Sequence, residues 1–144
     1  MIPGLENAEF LRYGIMHRNT YLDSPGMLDR CYRMINRENV YFAGQMTGVE
    51  GYIESAASGF VAGLSASRAL LGMDRIEFPR TPRIGAMSSY VSEGGASNFV
   101  PMNANFGIIE SLGYKVKGGK IAKYEVLSKR ALDEIQRIKE EYSL

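Results

Sequence analysis

The spacing of apolar positions divides the chain into short, differently patterned stretches. Residues 8–22 (AEFLRYGIMHRNTYL) mix aromatic, β-branched and polar types and read as extended structure ending at Ser24-Pro25-Gly26. Met27 to Ile35 fits neither period cleanly, and Asn36-Arg37-Glu38-Asn39 is a polar turn. Val40-Tyr41-Phe42-Ala43 is an apolar run with the length and composition of a buried strand. A glycine-punctuated loop, Gly44 to Gly51 (GQMTGVEG), follows it. From Tyr52 to Leu71 the chain is rich in Ala, Ser and Leu and free of proline, which predicts a helix closing near Gly72.

Phe78-Pro79-Arg80-Thr81-Pro82 reads as a rigid connector, Ile84–Val91 as a two-turn helix and Ser92–Phe106 as a loop. After a polar break at Lys115–Lys120, Ile121, Tyr124, Leu127, Leu132, Ile135, Ile138 and Tyr142 recur at helical spacing, an amphipathic face.

The most informative unit is Val40–Gly72. A buried strand entering a glycine loop and then a helix aims unpaired N–H groups, and the positive end of the helix dipole, at whatever lies over the strand's carboxyl end. Gly44, Gly48 and Gly51 permit positive φ and close backbone approach. Ala56, Ala57, Gly59, Ala62 and Gly63 are small enough to let the helix pack tightly on a sheet. The spacing matches neither GxGxxG nor the P-loop pattern. It specifies an anion or an electron-rich ring at a helix start, with plain close packing as the alternative.

Composition narrows the class. The chain has 144 residues, 45% apolar and 23% charged, an ordinary globular balance. A net charge of +1 supplies no global attraction to nucleic acid or anionic membrane, so any basic surface is local. The single Cys31 excludes an internal disulfide and a cysteine-rich metal site. No metal site is read. The N-terminus lacks a signal-peptide pattern and there is no apolar run of spanning length, so a cytoplasmic protein without membrane association is expected.

Three stretches, in order, carry a family resemblance: RYGIMHRNTYLDSP (Arg12–Pro25), YFAGQMTGVEGYIESAASGFVAG (Tyr41–Gly63) and FVPMNANFGII (Phe99–Ile109). Together they resemble the folate- and FAD-dependent tRNA (uracil-5-)-methyltransferases, across about residues 2–112. The resemblance implies an α/β fold: the C-terminal part of a glutathione-reductase-like FAD-binding fold with a helix-rich C-terminal half. Residues 1–76 would complete the FAD-binding domain, and 77–144 would form a helical extension packed on it. It implies transfer of a methylene group from methylenetetrahydrofolate to C5 of the T-loop uridine of tRNA, with FAD as cofactor and NAD(P)H as reductant.

On the matching positions, Gly44, Gln45, Gly48, Val49, Glu50 and Gly51 are the flavin-contacting loop and helix start. Amides near Val49 and Glu50 are suited to negative charge on reduced flavin. His17, Arg18 and Asn19 are the folate candidates, with a structural histidine and a surface ion pair as the plainer reading. Pro101–Phe106 is expected as a structured loop near flavin or folate, although its asparagines also cap turns. Lys115, Lys117, Lys120 and Lys123, with Lys129 and Arg130, form the best tRNA patch; a solvated helix face is the alternative.

The family's functional cysteines lie upstream of these motifs, so no catalytic residue is assigned and Cys31 reads as an ordinary thiol. The family's GxGxxG loop does not occur in this sequence. The chain therefore reads as a fragment that binds FAD weakly, is inactive alone, and has the missing N-terminal portion as partner. Two other readings stay open. One is a fragment of a tRNA wobble-uridine-modifying flavoprotein. The other is a non-catalytic module that self-associates as a homo-oligomer through exposed edges.

Overall fold

Three helices follow from the three apolar periodicities. A computed structural model describes residues 3–9, 20–94 and 99–144. Helix α1 spans Tyr52–Leu70, α2 Arg83–Glu93 and α3 Gly119–Tyr142. Helix α1 closes at Leu71, whose amide bonds back to Ser67 and Ala69, and Gly72 turns the chain at φ +67°. Proline at position 82 precedes α2, where its fixed φ suits a helix entrance and its missing N–H costs nothing. Helix α3 enters through Gly118, in the left-handed region at φ +107°.

The expected buried strand at Val40–Ala43 is not part of a sheet. Tyr41 forms one antiparallel bridge to Arg33, and among the described residues the backbone bonds of Val40 and Phe42 are the turn bond from Val40 N to Arg37 O (3.1 Å) and the pairing of Met34 N with Val40 O (2.8 Å) and Phe42 N with Tyr32 O (3.0 Å). Only isolated bridges occur among the described residues, so the segment has extended geometry without neighbours to make a ladder.

Met27–Ile35, which fits neither period, is organised by a side chain. Asp29 Oδ1 accepts from the amides of Cys31 (2.9 Å) and Arg33 (3.1 Å), and Oδ2 from Arg33 Nε (3.0 Å) and Arg75 Nη1 (2.9 Å). These turn bonds outcompete helix formation. They hold Tyr32 at φ 60°, a left-handed conformation uncommon for a non-glycine residue.

One core cluster contains Leu28, Tyr32, Val49, Val61, Ile76, Phe78, Met87, Val91 and Ile138, and so draws on both sides of the 76/77 junction. A smaller one joins Ala86, Ile109 and Leu127. Two positions of the expected α3 face, Ile121 and Leu132, are exposed instead, because no element of the described chain packs over them. Helix α2 crosses the 78–82 connector at Gly85, where any Cβ would overlap the Pro79 carbonyl. Arg30 fastens the same region, donating Nη2 to Phe78 O (2.6 Å), with Glu77 and Glu93 at 3.8 and 3.6 Å. No described helix is long and apolar enough to cross a membrane.

Candidate functional site

The glycine loop is bent as its glycines require. Residues Gly44–Thr47 form one 3-10 turn, and Gly44, Gly48 and Gly51 have φ of +71°, +89° and +92°. Thr47 Oγ1 donates to Gly44 O (2.8 Å) and Ser24 Oγ donates to Thr47 O (2.9 Å). Ser58 of α1 accepts the Gly44 amide on its Oγ (2.7 Å). The turn is thus pinned from inside and from the helix it precedes.

A second long-range clamp joins two of the sequence motifs. Val49 and Met102 form a parallel bridge: Glu50 N donates to Met102 O (3.0 Å), and Met102 N to Gly48 O (3.2 Å). The Glu54 carboxylate, in the first turn of α1, accepts the Ala104 amide on Oε1 (3.2 Å). The Phe99 ring lies where a Cβ on Gly48 would be. At Gly51 a Cβ would overlap the Glu54 carboxylate and come within 2.6 Å of Asn103 Oδ1. Pro101–Phe106 is therefore a structured loop against the glycine loop, although 50 residues separate Glu54 from Ala104.

These contacts sort the candidate flavin residues. Gly48 and Val49 are buried, and Val49 belongs to the core, so they shape the loop from behind. The Glu50 amide is committed to Met102, which removes it as a donor to a ligand; of the two amides expected near reduced flavin, only that of Val49 is left without a described partner. The accessible edge comprises Gln45, Met46 and Gly51–Ile53. At this edge α1 has no side-chain cap, and the amides of Gly51, Tyr52 and Ile53 make no hydrogen bond among the described residues. Three aligned donors at an uncapped helix start suit an anion or an electron-rich carbonyl. That chemistry fits the flavin implied by the motifs.

Beside this edge is a mostly apolar cavity of about 240 Å³, lined by Tyr32, Ile53, Glu54, Arg83, Met87 and Ala104 among others. Burial pushes the Tyr32 phenol up to about 12, partly offset by a hydrogen bond with Ser88. Sequence reasoning singled out neither Tyr32 nor Glu54. Glu54 had a readable signal, since an acidic residue in a first helical turn matches the dipole.

His17, Arg18 and Asn19 lie outside the described residues. Lys115, Lys117, Lys120, Lys123 and Lys129 are all exposed around the start of α3. Arg130 departs from the expected patch: its guanidinium donates to the carbonyls of Ser111 (3.1 Å) and Glu110 and is spent on structure. A stack connects this end to the other motifs. The Arg83 guanidinium sits 4.3 Å above the Phe106 ring, Phe106 stacks on Tyr124 at 3.9 Å, and Lys120 lies 5.5 Å from the Tyr124 centroid. Cys31 is fully buried, its Sγ 3.7 Å from Ile76 O, and burial raises its thiol above the ordinary range, so it is a core residue. No cluster of metal-ligating side chains occurs among the described residues.

Comparison with known proteins agrees with the motif order. The chain is 52% identical, over 99% of its length, to methylenetetrahydrofolate–tRNA-(uracil-5-)-methyltransferase TrmFO of Acetivibrio thermocellus, and covers 33% of that protein. It is 53% identical over 94% of its length to the protein of the same name from Streptococcus sanguinis, covering 31%. The chain thus spans about a third of the length of the curated relatives it matches. Residues 1–74 match the model of the family described as glucose inhibited division protein A. With half of its residues under that model, the chain belongs to the glucose inhibited division protein A family.

Proposed function

We propose that this chain is part of a folate- and FAD-dependent tRNA uracil-C5 methyltransferase, and that the edge from Gln45 to Ile53 faces the isoalloxazine ring. The observation that carries the reading is the uncapped start of α1 beside a turn fixed by the 99–106 segment. The match of nearly the whole chain to about a third of each of two proteins named for that activity supports it.

In this reading the glutathione-reductase-like sheet is completed by chain corresponding to the rest of the relatives' length. When bound, FAD supplies the redox chemistry by which a methylene group passes from methylenetetrahydrofolate to the uridine, with NAD(P)H as reductant. The residues of this chain bind and orient. The amides of Gly51, Tyr52 and Ile53, which have no partner among the described residues, would hold a ring oxygen and favour negative charge there without reorganisation. Glu54 and Met102 keep those donors in place. His17, Arg18 and Asn19 remain the folate contacts, and Lys115, Lys117, Lys120 and Lys123 the contacts to tRNA phosphates. On this reading the protein works in the cytoplasm, with tRNA as its substrate.

The test uses a full-length chimaera in which this chain replaces the matched part of the Acetivibrio thermocellus relative. Gly44→Val changes the accessible turn, where a Cβ meets only Ser55 at 3.9 Å, though φ is +71°. FAD fluorescence titration is expected to show at least tenfold weaker binding. Equal affinity in a folded variant removes the loop from the flavin site.

A further inference from the structure

Tyr114 belongs to neither core cluster. Its side chain is 65% exposed. It has no ring partner among the described residues, whereas Phe106 and Tyr124 stack on each other. The chain turns at Gly113, at φ +73°, and the Tyr114 ring then lines a groove of about 470 Å³ beside α3. Half-buried Leu112 and Val126 line the same groove and give it an apolar part.

Charge is distributed unevenly around this ring. From Lys115 to Arg130 the cations are Lys115, Lys117, Lys120, Lys123, Lys129 and Arg130, opposed by Glu125 alone. None of these lysines makes an ion pair among the described residues. Lys129 and Arg130 line the groove itself, and Arg130 keeps its charge although its donors are bonded to carbonyls. The opposite end of the groove carries Asp133 and Glu134. Glu134 is paired with Arg137 Nη2 at 2.7 Å, and that hydrogen bond holds its carboxyl below the ordinary range. Asp133, one turn beyond Lys129, repels phosphate, so an anionic chain is favoured only along the side from Lys129 back to Lys115.

We infer that Tyr114 receives the face of an unpaired RNA base, while Lys115, Lys117 and Lys129 hold the phosphates on either side of it. The inference rests on the tRNA reading above and adds a base contact to it. Lysines alone attract any polyanion, paired or single-stranded. A bare aromatic face among them selects bases that are out of a helix, because in a duplex each base is already stacked on its neighbours. Every base has such a face, so the site reads unpaired structure rather than sequence. The loops of a tRNA supply it.

The test measures binding of the full-length chimaera to a tRNA transcript, an oligouridylate and a fully paired RNA duplex over a range of salt. Tyr114→Leu and Tyr114→Phe are compared with the unaltered protein, and urea unfolding checks that both fold. The expected result is about tenfold weaker binding of tRNA and oligouridylate by Tyr114→Leu, with the salt slope unchanged. Tyr114→Phe keeps full affinity, and the duplex binds all three proteins equally. Equal affinity of all three for tRNA and oligouridylate overturns the inference, as does a loss that extends equally to the duplex. A Tyr114→Leu protein that unfolds, or a Tyr114 that resists nitration in the RNA-free chimaera, also overturns it, because the ring would already be covered. Oligouridylate binding through Tyr114 without tRNA binding removes the tRNA reading and leaves the stacking surface standing. A chimaera that binds neither RNA overturns both.

Discussion

Helices α1 and α3 begin alike and are built differently. Each is entered through a glycine at positive φ, Gly51 at +92° and Gly118 at +107°, and neither has a side-chain cap. By local sequence both are open anion sites. At α1, however, the backbone before the helix is tied to Met102, the first-turn carboxylate to Ala104, and Gly48 is packed under Phe99. At α3 the flanking lysines are exposed, and the nearest contact to Gly118 is Ala122, one turn along the same helix. One end is a fixed surface suited to holding a ring in one pose. The other is a concentration of positive charge, which needs no fixed pose to attract phosphates. Long-range contacts, not the glycine, make the distinction.

The sharpest way to break this contrast is Gly48→Val. It imposes a strained φ and drives side-chain atoms into Phe99, at a cost of about 3 kcal/mol in urea unfolding. A loss below about 1 kcal/mol would mean that the α1 end is as yielding as the α3 end.

Alkaline pH should also act on the α1 end, because Tyr32 lines the cavity beside Ile53 and Glu54. Its folded value, raised by burial to about 12, exceeds the ordinary value of 10.0. The unfolded chain therefore loses this proton first. The stabilisation is intact below pH 10 and disappears as pH rises through about 12. Tyr32→Phe should flatten that part of the stability profile, and an unchanged decline would assign it to other groups.

Glu54→Ala removes a charge-assisted bond and a favourable dipole contact, about 1.5 kcal/mol, and should raise amide exchange at Ala104. The smallest effect belongs to the other end. Lys117→Ala with Lys120→Ala should alter stability by less than about 0.5 kcal/mol. The salt dependence of tRNA binding should nevertheless weaken by about one unit of slope per lysine. A stability loss matching that of Glu54→Ala would show that these lysines are structural.

The helices were legible because their signals are local. Tyr52–Leu71 was expected and Tyr52–Leu70 forms; Ile84–Val91 lies inside α2. The positive φ of Gly44, Gly48 and Gly51 followed from loop chemistry. What sequence could not show was commitment. Nothing in Glu50 reveals that its amide is already taken by Met102, and nothing in Arg130 separates it from its lysine neighbours, until the carbonyls of Glu110 and Ser111 appear beside it. Val40–Ala43 has a strand's composition, but a strand also needs partners, and among the described residues Tyr41 bridges only to Arg33. Met27–Ile35 escaped both periods because one aspartate dictates its turns.

The crossing at Gly85 ties a distant position to the candidate site. Helix α2 rests against the Pro79 carbonyl with no side chain between them, so the distance between the two backbones is a fixed spacing. Ile84 and Met87, on either side of that glycine in sequence, are walls of the cavity beside α1. One added methyl at position 85 would act as a shim, lifting α2 and changing the bore of that cavity without touching any residue of the loop.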